Sequence, residues 1–314
     1  MRRHRILVLA LSLFAVRDIL VLCCVVKENI LQGLNLMQTN ALNRSFDSTL
    51  GEHHPTFPSM RPKVSGYSCS IILPAFNEEA VIEETVRTVV AATNRFCPRA
   101  EIIVVNDGSR DTTRAILDRL GDEFANVVPI HHPENRGYGS ALCTGFDAAR
   151  GELAFFMDSD GQFDINDLTT LLAIAAREPN TIVLGYRAQR CDPFMRKLNA
   201  AGWKQLTRIV VGLRGIRDID CAFKLFPSAL IKSCDIQAGG ATVNAEFLTK
   251  FQLLGIPIIQ VPVTHMPRTK GSPTGAKPEV ILRACRDIFR LRGHLRLWHQ
   301  QQMLQRQHKH ILKV

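Results

Sequence analysis

Between residues 70 and 186, short apolar runs that end in polar turns alternate with stretches of helical periodicity. Ser70 to Leu73 stops at Pro74-Ala75-Phe76-Asn77-Glu78-Glu79, after which Val81, Ile82, Val86, Val89 and Val90 recur at helical spacing. Glu101 to Val105 runs into Asn106-Asp107-Gly108-Ser109-Arg110-Asp111, with a helix expected from near Thr112. Val127 to His131 leads to Asn135-Arg136-Gly137-Tyr138-Gly139 and a helix from Ser140 to Ala149. Glu152 to Met157, a helix over Asn166 to Arg177, and Thr181 to Tyr186 complete the series. Alternation of this kind makes the strands parallel, because each crossover helix returns the chain to the same edge, and a parallel sheet needs cover on both faces. The expected fold is therefore α/β, a Rossmann-like, mostly parallel sheet with helices on both faces. Every polar turn that can carry chemistry follows a strand, so the turns share the edge at which open α/β sheets bind ligands.

The fourth strand ends in Phe155-Phe156-Met157-Asp158-Ser159-Asp160-Gly161-Gln162. In an extended chain alternate side chains share a face, so Asp158, Asp160 and Gln162 are expected to converge. Three oxygen donors suit a hard divalent cation, magnesium or manganese, and such an ion carries a diphosphate. Taken alone, Asp-x-Asp is also a common cap of strand ends and turns. The order of the surrounding motifs favours the metal.

The ordered motifs LPAFNEE, VVNDGSRD, NRGYGSAL, FMDSDGQFD and DIDCAFKLF resemble those of inverting family 2 glycosyltransferases of the GT-A fold, most closely the dolichol-phosphate or polyprenol-phosphate mannosyltransferase group. The resemblance spans residues 67–275, taken as a single catalytic domain. It implies that Pro74, Phe76 and Glu78 meet the base and ribose of a nucleotide sugar, with Val105 and Asp107 as the next contacts. Asn106 stands where the family more usually has Asp, which loosens the inferred base preference. Asp158, Ser159, Asp160 and Gln162 match the metal and diphosphate positions. Arg187 and Arg268 match arginines set against phosphate, whose planar fork suits phosphate oxygens. The family's lysine a few residues after the second arginine is missing, with Lys270 and Lys277 out of register. Asp218, Asp220 and Lys224 fall in the segment that shapes the sugar site in similar enzymes. Glu246, in a helical stretch over Asn244 to Leu254, is a candidate sugar or acceptor contact, weighed against an exposed helix carboxylate.

The resemblance implies metal-dependent, inverting transfer of a hexose, mannose from GDP-mannose in the first instance, to a dolichyl or polyprenyl phosphate. The alternatives are another donor such as UDP-glucose, a glycan hydroxyl acceptor, or an inactive nucleotide-sugar-binding module. A phosphate monoester has a second pKa of about 6, so it attacks as a dianion without a general base. A hydroxyl acceptor would need one, from Asp218, Asp220 or Glu246.

The chain's 314 residues, 46% hydrophobic, suffice for one substantial core. The formal charge of +10 calls for an anionic partner. No zinc-finger spacing or aromatic-basic motif points to nucleic acid, and the acidic cluster would repel it. A dehydrogenase is disfavoured because no Gly-x-Gly-x-x-Gly follows the first strand. The nine cysteines are scattered and without a metal spacing, as in a reduced cytosolic domain. Residues 276–314 read as a basic amphipathic helix and tail from Pro278, either on a membrane surface or packed on the domain. Residues 1–39 are apolar but interrupted by Arg17 and Asp18, each costing about 2.5–3.5 kcal/mol in a bilayer, so an interfacial helix or extension is favoured over a spanning anchor. Residues 40–66 read as a linker. The expected location is the cytosolic face of a membrane, with a membrane-subunit partner among the alternatives.

Overall fold

The computed structural model describes residues 66–188, 194–267 and 278–311. Among these residues seven strands form one sheet: β1 (Cys69–Ala75), β2 (Ala100–Asn106), β3 (Val127–His131), β4 (Leu153–Met157), β5 (Ile182–Arg187), β6 (Phe223–Pro227) and β7 (Ile258–Val263). The helices are α1 (Ile82–Phe96), α2 (Thr113–Glu123), α3 (Tyr138–Ala148), α4 (Leu168–Arg177), α5 (Phe194–Val211), α6 (Ser228–Lys232), α7 (Val243–Leu254) and α8 (Pro278–Ile311). The expected N-terminal segment and linker lie outside the described residues.

The strand order is β3-β2-β1-β4-β6-β5-β7, and only β6 runs against its neighbours β4 and β5. The chain winds outward from β1 through β2 to β3, then returns to lay β4 on the other side of β1. That reversal opens a crevice at the carboxyl ends of β1 and β4. The period of two along β4 sends Phe155 and Phe156 to opposite faces. Phe155 meets Phe223, which in turn meets Phe163, on one side. Phe156 meets Phe146 of α3, Phe226 and Phe247 of α7 on the other. Both faces are thus buried under helices, as the near-continuous apolar runs require.

The antiparallel β6 was not foreseen. Its first residue, Phe223, pairs with Met157, the last of β4, so the segment before β6 ends at the ligand edge. Asp218 and Asp220 therefore come to lie beside the end of β4. At the outer edge, β7 tolerates Pro262 because an edge strand can lose a ladder donor. On α8, Ile288, Leu291 and Leu295 bury against Val210 of α5 and Ala245 of α7, while Arg286, Arg290 and Arg296 stay exposed.

Candidate active site

The turns after β1 and β2 are laced together by side chains. Asn77, at φ 55°, adopts the left-handed conformation that Asn tolerates best after Gly. Its N–H donates to Ser109 Oγ (2.8 Å), and its Oδ1 accepts from Arg110 N (2.8 Å). Glu78 N donates to Thr113 Oγ1, and Glu79 accepts from the backbone and hydroxyl of Thr112. Pro74 is buried, and its carbonyl accepts from Ser159 Oγ at 2.7 Å, which joins the end of β1 to the turn after β4. Phe76 is part-buried in this wall, whereas the Val105 side chain is fully buried against Ala141.

Asp107 is buried and bonded by its neighbours. Its Oδ1 accepts from Arg136 N (2.9 Å) and pairs with His132 Nδ1 (2.7 Å), and its Oδ2 accepts from Gly137 N (2.8 Å). His132 Nε2 in turn faces the Thr144 hydroxyl at 2.9 Å. The carboxylate is a brace between β2 and the start of α3. Asn106 is likewise used locally, its Oδ1 accepting from Ser109 N and its Nδ2 meeting His131 Nδ1.

The extended geometry expected for Asp158, Asp160 and Gln162 does not form, because β4 ends at Met157 and Gly161, at φ 73°, turns the chain. Gln162 N donates to Asp160 Oδ1 (3.1 Å), and Gln162 Nε2 donates to Met266 O (2.9 Å). A bridge between Phe163 and His265, with Met266 N on Gln162 O, lays the segment after β7 along this turn. Arg268, just beyond it, lies outside the described residues.

Burial and the neighbouring Asp160 charge push the Asp158 carboxyl up to about 7, against the Tyr138 hydrogen bond, Arg187 and Lys224. Tyr138 Oη donates to Asp158 Oδ1 at 2.9 Å, and burial beside Asp158 raises the phenol well above its ordinary range. Two adjacent carboxylates, one of them dehydrated and resisting ionisation, form a donor set that a hard divalent cation would relieve. The residues fit magnesium or manganese. Among the described residues no group of three or more His, Cys, Asp and Glu gathers for a metal; the candidate centre offers two carboxylates, with Gln162 beside Asp160.

Arg187, closing β5, meets Asp218 through two parallel bonds, Nε to Oδ2 (2.8 Å) and Nη2 to Oδ1 (3.0 Å). Asp220 accepts from Trp203 Nε1 (3.2 Å), and burial raises its carboxyl despite Lys224 and Arg187. Lys224 is 0% exposed and lies under the site, not open to it. Its ammonium donates to the carbonyls of Ile219 and Cys221 and to Asn244 Oδ1, holding the loop that carries Asp218 and Asp220. Burial lowers its pKa. Glu246 is also 0% exposed, so it is not the exposed helix carboxylate weighed above; it accepts from backbone N–H groups and Lys250. Tyr138, Trp203 and His132 had no role assigned from sequence, although Tyr138 sits inside a quoted motif.

A mostly parallel sheet that carries an Asp-x-Asp turn at its switch point is the GT-A architecture of sugar-nucleotide transferases. The chain belongs to glycosyl transferase family 2, whose model matches residues 70–232. A dolichyl-phosphate beta-glucosyltransferase of Trichomonas vaginalis is 31% identical over 231 residues, covering 68% of this chain and 70% of that protein. A dodecaprenyl-phosphate galacturonate synthase of Rhizobium johnstonii is 30% identical over 171 residues, covering 54% of this chain and 50% of that protein. The fold is shared with glucosyl-3-phosphoglycerate synthase from Mycobacterium tuberculosis, solved with manganese, uridine diphosphate and phosphoglyceric acid. That match has a TM-score of 0.58 at 20% identity, covering 77% of this chain and 85% of the other. Among the described residues no helix is long and apolar enough to cross a membrane.

Proposed function

We propose that this glycosyltransferase moves glucose from a nucleoside diphosphate donor, UDP-glucose, onto a dolichyl or polyprenyl phosphate, with inversion, at the cytosolic face of a membrane. The observation that carries this reading is the Asp158–Asp160 pair, two adjacent part-buried carboxyls that call for a divalent cation at the crevice where a donor diphosphate would lie. The sugar moves from the mannose expected above to glucose because a relative that matches over two thirds of each chain is named a dolichyl-phosphate glucosyltransferase.

A bound magnesium or manganese would neutralise the donor diphosphate and ease its departure as a Lewis acid. Asp158 and Asp160 would hold that ion, and Tyr138 fixes the first carboxylate. Arg187, oriented by Asp218, adds a fixed positive charge at the same edge, where the leaving group gathers negative charge. The acceptor phosphate is already a dianion near neutral pH, so no side chain removes a proton. Alignment and charge neutralisation are what the protein supplies. A single in-line displacement inverts the anomeric centre.

The test is transfer of labelled sugar from UDP-glucose and from GDP-mannose into organic-extractable lipid, with dolichyl phosphate and with or without manganese. Metal-dependent labelling from UDP-glucose supports the reading. Labelling from GDP-mannose alone restores mannose. Donor hydrolysis without lipid labelling points to a hydroxyl acceptor, with Asp220 as the first base to substitute, and neither turnover nor hydrolysis would mark a binding module.

A further inference from the structure

Glu246 and Lys250, one turn apart on α7, form a fully buried ion pair at 2.6 Å that the proposed reaction does not use. Isolated burial of two charges is costly, and it is sustained only where the remaining bonding capacity is filled. Here the backbone of one segment fills it. Both Glu246 oxygens accept from Gln237 N (3.0 and 3.1 Å), and Oε2 also accepts from Ala238 N (2.7 Å). Lys250 Nζ donates to the carbonyls of Cys234 (2.8 Å) and Asp235 (2.7 Å). The pair therefore holds residues 234–238 in a single shape.

The end of that segment presses on the start of α3. Gly239 O accepts from Ser140 N at 3.3 Å. A Cβ on Gly137 would come 2.5 Å from Gly239 O, and one on Gly139 would run into Ala238 O, so the two backbones meet with no room for side chains. From the other side, Asp107 grips Arg136 N and Gly137 N. Tyr138, between these two holds, reaches Asp158.

We propose that Glu246 is a positioning residue: through residues 234–239 and the first turn of α3 it sets Tyr138 against Asp158, and so sets the affinity of the carboxylate pair for a divalent cation. This rests on the reading that Asp158 and Asp160 hold the ion. The experiment measures manganese binding to the full chain by the loss of the free-ion paramagnetic resonance signal, with melting temperature recorded alongside. Glu246→Gln, Tyr138→Phe, their double variant and Asp160→Asn are compared. Asp160→Asn should lose binding. Glu246→Gln and Tyr138→Phe should each weaken it by about 10- to 100-fold, the range for groups that orient metal ligands. The double variant should bind no more weakly than the poorer single one, since both act along one path. Should Glu246→Gln not fold, Gly139→Ala, which displaces the same junction but leaves the ion pair intact, takes its place with the same expectation. Unchanged manganese binding in Glu246→Gln, or effects that multiply in the double variant, would overturn the proposal. Retained binding in Asp160→Asn would instead sink the metal assignment, and the proposal with it.

Discussion

Asp158 concentrates the chemistry of the site in one carboxyl. Its folded pKa of about 7 lies above the ordinary 3.8, so the folded protein keeps a proton that the unfolded chain releases between those values. The stability contributed by this group is full below pH 4 and is lost as pH rises through 7. A divalent cation binds the ionised form and reverses that loss. Added manganese should therefore raise the melting temperature of chelator-treated protein more at pH 8 than at pH 6. Scanning calorimetry checks this, and equal shifts at both values would contradict the placement of the ion on Asp158. Arg187 shows a different economy: its partner Asp218 spends a carboxylate to aim a guanidinium, a geometry that a lysine's point charge would not reproduce.

The elements act by bringing distant turns to one edge. Because β6 runs antiparallel, the loop holding Asp218 and Asp220 ends at the same edge as the Asp158 turn, and Lys224 beneath it ties that loop to α7. Lys224→Met keeps the length but strands three buried acceptors. An unsatisfied buried acceptor costs about 1–3 kcal/mol, so a clear fall in melting temperature is expected, with kcat falling further than stability alone would dictate. Thermal unfolding and lipid-transfer rates on one preparation check it; normal kcat in a folded variant would show that the loop needs no such tether.

At the scale of the molecule, α8 is both a packing element and a charged surface. Ile288 is fully buried against α5 and α7, and Ile288→Ala should cost about 2–5 kcal/mol in denaturant unfolding. The formal charge of +10, with Arg286, Arg290 and Arg296 exposed on α8, predicts salt-sensitive attraction to anionic lipid. Cosedimentation with phosphatidylserine vesicles should be strong at about 0.1 M salt and largely lost at about 1 M, where the Debye length falls from about 10 Å to about 3 Å. Binding that ignores salt would mean that apolar contacts, not charge, hold the protein to the bilayer.

Strand, turn and helix could be read from the sequence because hydrophobic period and turn residues are local properties. The alternation from Ser70 to Tyr186 determined a mostly parallel sheet with its chemistry on one edge, and the Asp-x-Asp turn with its flanking motifs determined the family. What each charge does could not be read, because burial and bonding partners come from segments far apart in the chain. Only the tertiary structure turned Asp107 into a brace for α3, placed Lys224 under its loop, joined Arg187 to Asp218 and set Tyr138 on Asp158. Glu246 states the reason most plainly. A carboxylate on a helix looks the same in sequence whether water or a neighbouring backbone surrounds it, and the packing of α7 against residues 234–238 decides which.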